Sequence, residues 1–271
     1  MNVPHIHRWL TAVIAVPCLF LLIYYGSARL FSVLIGLVVC VAAWEYEKII
    51  HGRSKLKRRW EFLLIALLIP VATYHQDFRQ LSAMIAMLFI FLILCDLFRI
   101  RKNQGNPDIG LLTKYVLGMI YIPVLMSYFI SIRGFEHGRM WIFFILLLAF
   151  SGDAAAFYTG KLFGKTKLMP SVSPNKTVAG VVGLVLGSVT ACLVFGYYFL
   201  PNISVLHVLA MSFLGSIIGQ LGDLFESEIK RAGGIKDSGH ILPGHGGILD
   251  RIDCLLFIAP FIYYYYVFIV G

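Results

Sequence analysis

Read for its alternation of apolar and polar positions, the chain is a series of long greasy runs separated by short polar ones. A membrane-spanning helix needs roughly 17–25 mainly apolar residues. Nine stretches fit that pattern, some of them short: 9–25, 30–47, 60–75, 80–98, 112–132, 140–158, 178–199, 203–221 and 252–270. Pro17, Pro70, Pro123 and Pro260 fall inside these runs. Membrane helices tolerate proline where neighbouring groups satisfy the freed carbonyls. Gly180, Gly183 and Gly187 give the seventh run a small-residue face suited to close helix contact. No internal repeat stands out, and the expected fold class is all-α, a polytopic integral membrane protein.

Composition strengthens this reading. Hydrophobic residues make up 59% of the 271 positions and charged residues 14%, outside the range of a soluble domain. Cys18, Cys40, Cys95, Cys192 and Cys254 are scattered through apolar runs without paired spacing, which predicts small buried hydrophobes rather than disulfides or a zinc site. The net charge of +9 acquires meaning from its placement. With nine spans and the N-terminus in the cytoplasm, only Arg29, Arg79, Arg133 and Arg139 of the 23 Lys and Arg residues face outward. That is the asymmetry of an inner-leaflet charge rather than of a nucleic-acid surface. The basic run 51–59 is expected to anchor topology against anionic lipid.

The segment Ser227–Asp253 breaks the apolar pattern with Lys230, Arg231, Lys236, Asp237, His245, Gly246, Gly247, Asp250 and Arg251. Charge at the edge of a membrane core marks a functional site by default. Asp250 and Asp253, three apart, share a helix face, and Asp223 closes the preceding span. Convergence of these three would suit a hard cation such as Mg2+, held by carboxylates and substrate phosphates, with a second cation open. The alternative is that they cap a helix and pair with Arg251 or Arg231. Pro243-Gly-His-Gly-Gly247 offers backbone N–H groups to an anion, and His245 is a candidate for proton transfer or phosphate orientation. A second polar stretch carries Asp153, Gly160, Lys161, Gly164, Ser173, Lys176 and Thr177. Spans one to five are expected to hold few buried charges.

The spacing Ser227-x2-Lys230-Arg231-x4-Lys236-Asp237-x5-Pro243-x-His245-Gly246-Gly247-x2-Asp250-Arg251-x-Asp253 resembles the signature of the phosphatidate cytidylyltransferases, or CDP-diacylglycerol synthases. Asp153, Gly160, Gly164 and Ser173-Pro-Asn-Lys-Thr177 resemble that family's second block, and Trp44-Glu45 and Tyr121-Ile-Pro123 its looser early features. Asn175 and Ala179 depart from it, standing where the family carries Lys and Glu. The resemblance implies CTP and phosphatidate as substrates, pyrophosphate as product, Mg2+ at Asp223, Asp250 and Asp253, and a homodimer. Lys230, Arg231, Lys236, Asp237, His245 and Arg251 are then catalytic candidates. Asp153, Ser173, Lys176, Thr177, Ser227, Gly246 and Gly247 are substrate-binding candidates. The chain is read as one membrane-embedded domain, with N-terminal helices over 1–135 and catalytic helices and loops over 136–271. An inner membrane with the site facing the cytoplasm is expected. Rival functions are a CTP-dependent lipid kinase acting on an isoprenoid alcohol and a membrane transporter.

Overall fold

The computed structural model describes residues 16–51, 60–75, 78–103, 107–239, 241 and 246–271. His245 and most of the basic run 51–59 lie outside them. Among the described residues, seven helices are long and apolar enough to cross a membrane, and two shorter apolar helices accompany them. In chain order these are α1 (Val16–Tyr25), α2 (Ala28–His51), α3 (Trp60–His75), α4 (Phe78–Asn103), α5 (Ile109–Met119), α6 (Leu125–Arg133), α7 (Gly138–Phe163), α8 (Val178–Phe199), α9 (Val205–Ala232) and α10 (Leu249–Tyr265). Helices α5 and α6 form one span, joined by a π turn over Ile120–Val124. The protein is an all-α polytopic membrane protein.

Two boundaries differ from the sequence reading in ways that matter for the site. Helix α9 does not stop near 221 but runs through Glu226, Ser227, Lys230 and Arg231, so these residues sit on a helix rather than in a loop. Glu226 and Lys230 pair one turn apart, and the two basic groups lie in the last turn, where they complement the exposed carbonyls. The other difference is a small antiparallel hairpin, β1 (Lys167–Met169) and β2 (Ser173–Thr177), between α7 and α8. Its turn places Pro170 second, and the Val172 N–H donates to the Met169 carbonyl at 3.2 Å.

The chain divides into two compact units. The first comprises the helices up to Ser131 together with Gly233–Asp250. Its core is Phe31, Ile35, Val39, Ala42 and Tyr46 of α2 against Phe62, Ile65 and Ile69 of α3 and Tyr115 and Met119 of α5. Tyr46 donates to the Lys114 carbonyl at 2.7 Å, and Gly118 leaves room for its ring. Pro123 lacks an N–H, and the ladder accommodates it with the π turn, in which the Leu125 N–H reaches back to Ile120.

The same unit encloses two acids on one helix. Glu45 and Glu47 of α2 are fully buried, so the early spans do carry enclosed charge. Tyr115 donates to Glu47 at 3.1 Å and lies 2.8 Å from the His51 ring.

The second unit comprises 132–232 and 251–271. Its organising feature is absence of side-chain bulk. On α8, a Cβ at Gly183 would stand 1.9 Å from the Thr159 hydroxyl, and one at Gly187 would stand 2.4 Å from Ala155. Gly152 of α7 faces the Ser188 hydroxyl, which donates to the Leu148 carbonyl at 2.8 Å. The expected small-residue face on this helix is therefore a contact with α7. A second stripe, Gly215, Gly219 and Gly222, runs along α9. A Cβ at Gly219 would meet Ile258, and one at Gly222 the Asp253 carbonyl, each at 2.7 Å. Where helices meet in lipid, small residues let backbones approach. The stripe on α9 thereby brings its polar end beside the first turns of α10. The five cysteines are free, with Cys192 buried and Cys18 exposed along α1, contrary to a uniform burial.

Candidate active site

In the second unit, acidic side chains from three helices gather. Asp253 (α10) lies within electrostatic reach of Asp223 and Glu226 (α9) and of Asp153 (α7), and Asp153 within reach of Asp223. Asp253 feels the charges of Asp223, Glu226 and Asp153, and its own carboxylate accepts the Cys254 N–H at 2.8 Å. Among the described residues no Lys or Arg pairs with it directly. Asp153 is attracted by Lys176 and Arg251. A narrow crevice of about 10 Å³, room for roughly one water, runs below them between Asp153, Ser188, Ser216, Gln220, Asp223 and Cys254.

The hairpin and the end of α9 bring cations to this cluster. Alternation along β2 turns Lys176 toward α9, where its ammonium pairs with Asp223. Lys230 pairs with Glu226, which is fully buried. Arg231 Nε donates to the Val172 carbonyl at 3.2 Å, tying the helix end to the hairpin turn. Thr177 has a structural task. Its hydroxyl accepts the Gly180 N–H at 3.1 Å and caps α8. Gly160 and Gly164 make room for it, since a Cβ at either would stand 3.1 Å or 2.7 Å from that hydroxyl. Ser173 opens β2 half-buried, and Ser227 is buried on α9.

The signature residues of the first unit are arranged differently. Gly246 has a φ of 84°, in the left-handed region that favours glycine. Both oxygens of Asp250 accept the Ser238 N–H, at 3.3 and 3.1 Å, and one also accepts the Gly247 N–H at 2.8 Å. Asp250 thus closes its own loop through backbone donors. Lys236 and Asp237 are exposed. Glu45, which sequence reading noticed only as part of a loose early feature, joins this loop from α2. It accepts the Leu249 N–H at 2.8 Å and the Ser238 hydroxyl at 3.2 Å. A charged residue inside an otherwise apolar run was the available signal.

Among the described residues, no three His, Cys, Asp or Glu side chains stand together as a ready metal site. The donors that do cluster are all carboxylate oxygens in mutual repulsion, with Lys176 as the cation at Asp223. Such a set fits a hard divalent ion that takes one or two carboxylates and completes its shell with water or phosphate.

The fold and this cluster are those of a membrane-embedded helical protein in which carboxylates from three helices stand beside Lys176 and Lys230. The chain belongs to the cytidylyltransferase family, whose profile matches residues 6–269. It is 36% identical over 266 residues to a phosphatidate cytidylyltransferase of Bacillus subtilis (strain 168), covering 95% of this chain and 96% of that one. Phosphatidate cytidylyltransferases of Staphylococcus haemolyticus (strain JCSC1435) and Staphylococcus aureus (strain COL) are each 38% identical over 181 residues, 67% of either chain.

Ala179, where the family pattern carries Glu, is half-buried in the first turn of α8, two residues past the Thr177 cap. A carboxylate there meets the positive end of the helix dipole. Ala179→Glu is therefore expected to keep activity and to gain about 0.3–1 kcal/mol of stability. Thermal unfolding in detergent together with a turnover assay checks it; loss of activity means that the hairpin of this chain is arranged for Ala.

Proposed function

We infer that the chain is a phosphatidate cytidylyltransferase, converting CTP and phosphatidate to CDP-diacylglycerol and pyrophosphate. The observation that carries this is the near full-length similarity to the Bacillus subtilis enzyme, joined to a site of matching chemistry. A phosphate oxygen of the lipid attacks the α-phosphorus of CTP. The bond from that phosphorus to the bridging oxygen breaks, and pyrophosphate leaves with the electron pair. The nucleophile is already an anion near neutral pH, so the site needs no strong base. The obstacle is the meeting of two polyanions, and the chain answers it with positioned cations.

Asp223 and Asp253 are the ligands we propose for Mg2+, which when bound neutralises phosphate charge as it develops on the leaving group. Lys176 holds Asp223 in place and is available to the phosphates. Lys230 and Arg231 stand on the same helix end as Asp223. Arg251 belongs to the first turn of the helix that carries Asp253. Asp250 is assigned to loop closure through Ser238 and Gly247, ahead of the metal role that its spacing suggested. The lipid substrate requires the membrane, and the use of CTP, with the Lys and Arg distribution, supports a site at the cytoplasmic face of the inner membrane.

Incubation with α-³²P-CTP and phosphatidate, with and without Mg2+, tests the reaction. Label is expected to enter a chloroform-soluble product only with the metal. Label recovered wholly as CDP would indicate γ-phosphoryl transfer to an alcohol and sink the assignment.

A further inference from the structure

We propose that Glu45 is a positioning residue of this enzyme: a buried strap that holds both ends of the signature loop, Ser238 to Leu249, in its working shape. One oxygen, Oε2, takes both the Ser238 hydroxyl and the Leu249 N–H, from positions 193 and 204 residues further along the chain. Leu249 is the first residue of α10, so its N–H is one of the donors that a helix leaves unsatisfied. A carboxylate at that point also meets the positive end of the helix dipole.

The loop is built around this side chain. A Cβ at Gly239 would stand 2.3 Å from Glu45 Oε1, and one at Gly247 would stand 2.5 Å from Oε2 and 2.1 Å from the Ser238 hydroxyl. Glu45 is 0% exposed, and Ser238 is nearly as buried. The Oε1 atom has no hydrogen-bond partner among the described residues, and it lies where a Cβ at Gly239 or Gly247 would fall. Asp250 holds the backbone of the same loop from the other side, through the Ser238 and Gly247 N–H groups. Each of the two carboxylates therefore ties residue 238 to the 247–249 end of the segment. The glycine at 247 is required by that fastening as well as by any anion approaching the loop.

This inference rests on the phosphatidate cytidylyltransferase reading only for its effect on turnover. The strap itself is read without substrate, by amide hydrogen exchange of the full-length protein in detergent. Glu45→Leu removes the acceptor, while Glu45→Gln keeps an oxygen able to take both donors. In Glu45→Leu, peptides covering 238–249 are expected to exchange roughly tenfold faster, with α7–α9 unchanged, since local opening follows lost local bonds. Turnover of CTP and phosphatidate is expected to drop roughly 100-fold in kcat, the penalty for displaced reacting groups. Glu45→Gln is expected to restore loop protection and to recover activity to within about tenfold of wild type.

Wild-type protection and turnover in Glu45→Leu would overturn the proposal. So would a Glu45→Gln variant as inactive as Glu45→Leu with the loop still protected, because the charge would then act on substrate directly. Should Glu45→Leu fail to fold, Ser238→Ala removes one donor alone. It is expected to raise exchange in the same peptides and lower kcat several-fold, and no change in either measurement overturns the strap. A wild-type protein with a protected loop but no CDP-diacylglycerol synthesis would refute the functional reading and leave the strap standing.

Discussion

Replacing Asp253 with asparagine is expected to lower kcat by roughly 10²–10³-fold and, in metal-free protein, to raise the melting temperature. Both effects follow from the same surroundings. Asp253 faces Asp223, Glu226 and Asp153, and among the described residues no basic side chain pairs with it. Burial away from water, and then the acidic neighbours, two of them already paired with Lys176 and Lys230, make a charge at Asp253 costly to the fold. Removing one charge relieves them at little cost in shape, and each 1 kcal/mol of relief corresponds to about 2–4 °C for a chain of this order of size. In the proposed function the charge serves the reaction, a trade of stability for function common at active sites. If Asp253 were instead a structural ion-pair partner, Asp253→Asn would lower the melting temperature and spare turnover. Calorimetry in EDTA beside an activity assay in Mg2+ separates the two.

Lys176→Met is expected to have the opposite thermal sign and a similarly large kinetic effect. The lysine neutralises Asp223 from β2, and both side chains are mostly enclosed. Truncating one member of such a pair leaves the other charge stranded, at about 2–5 kcal/mol. Here the stranded carboxylate also rejoins the repulsion around Asp253. The melting temperature should fall, and kcat/KM for CTP should drop roughly 10²-fold, that same energy read as a rate. The double variant Lys176→Met with Asp223→Asn distinguishes fold from function. It is expected to recover the melting temperature and none of the activity, whereas recovery of both would mean that the pair serves only to hold the hairpin. Because the residues touch, the cycle should be strongly non-additive.

Much of the candidate site is legible in the sequence. A run of Lys, Arg, Asp and Gly between apolar helices marks it, and the spacing resembles one family closely. Asp223 at the end of a span and Asp253 at the start of another are local facts of patterning. The hairpin was less visible, because Lys-Leu-Met and Ser-Pro-Asn-Lys-Thr are short, polar and proline-interrupted, with too little alternation to read as strands. The helical state of Ser227–Arg231 was hidden for a similar reason. Hydropathy ends a span where charge begins, but the backbone ladder continues as long as i,i+4 pairs such as Glu226–Lys230 support it. Glu45 shows the sharpest limit. Its presence in a greasy run was plain, yet nothing nearby indicates that its partners lie about two hundred residues away.

By itself, the sequence determined the membrane class, the helical segments and the two polar stretches where chemistry gathers, since hydropathy and charge act over a few residues at a time. The tertiary structure alone decided which backbone and side-chain groups each carboxylate meets. Glycine stripes on α8 and α9 set how closely helices approach, and that distance places Asp153, Asp223 and Asp253 together. Asp250, though only three residues from Asp253, has its oxygens taken by the Ser238 and Gly247 N–H groups, and Glu45 completes the same loop. Spacing along a helix tells which side chains share a face; only packing tells what that face meets.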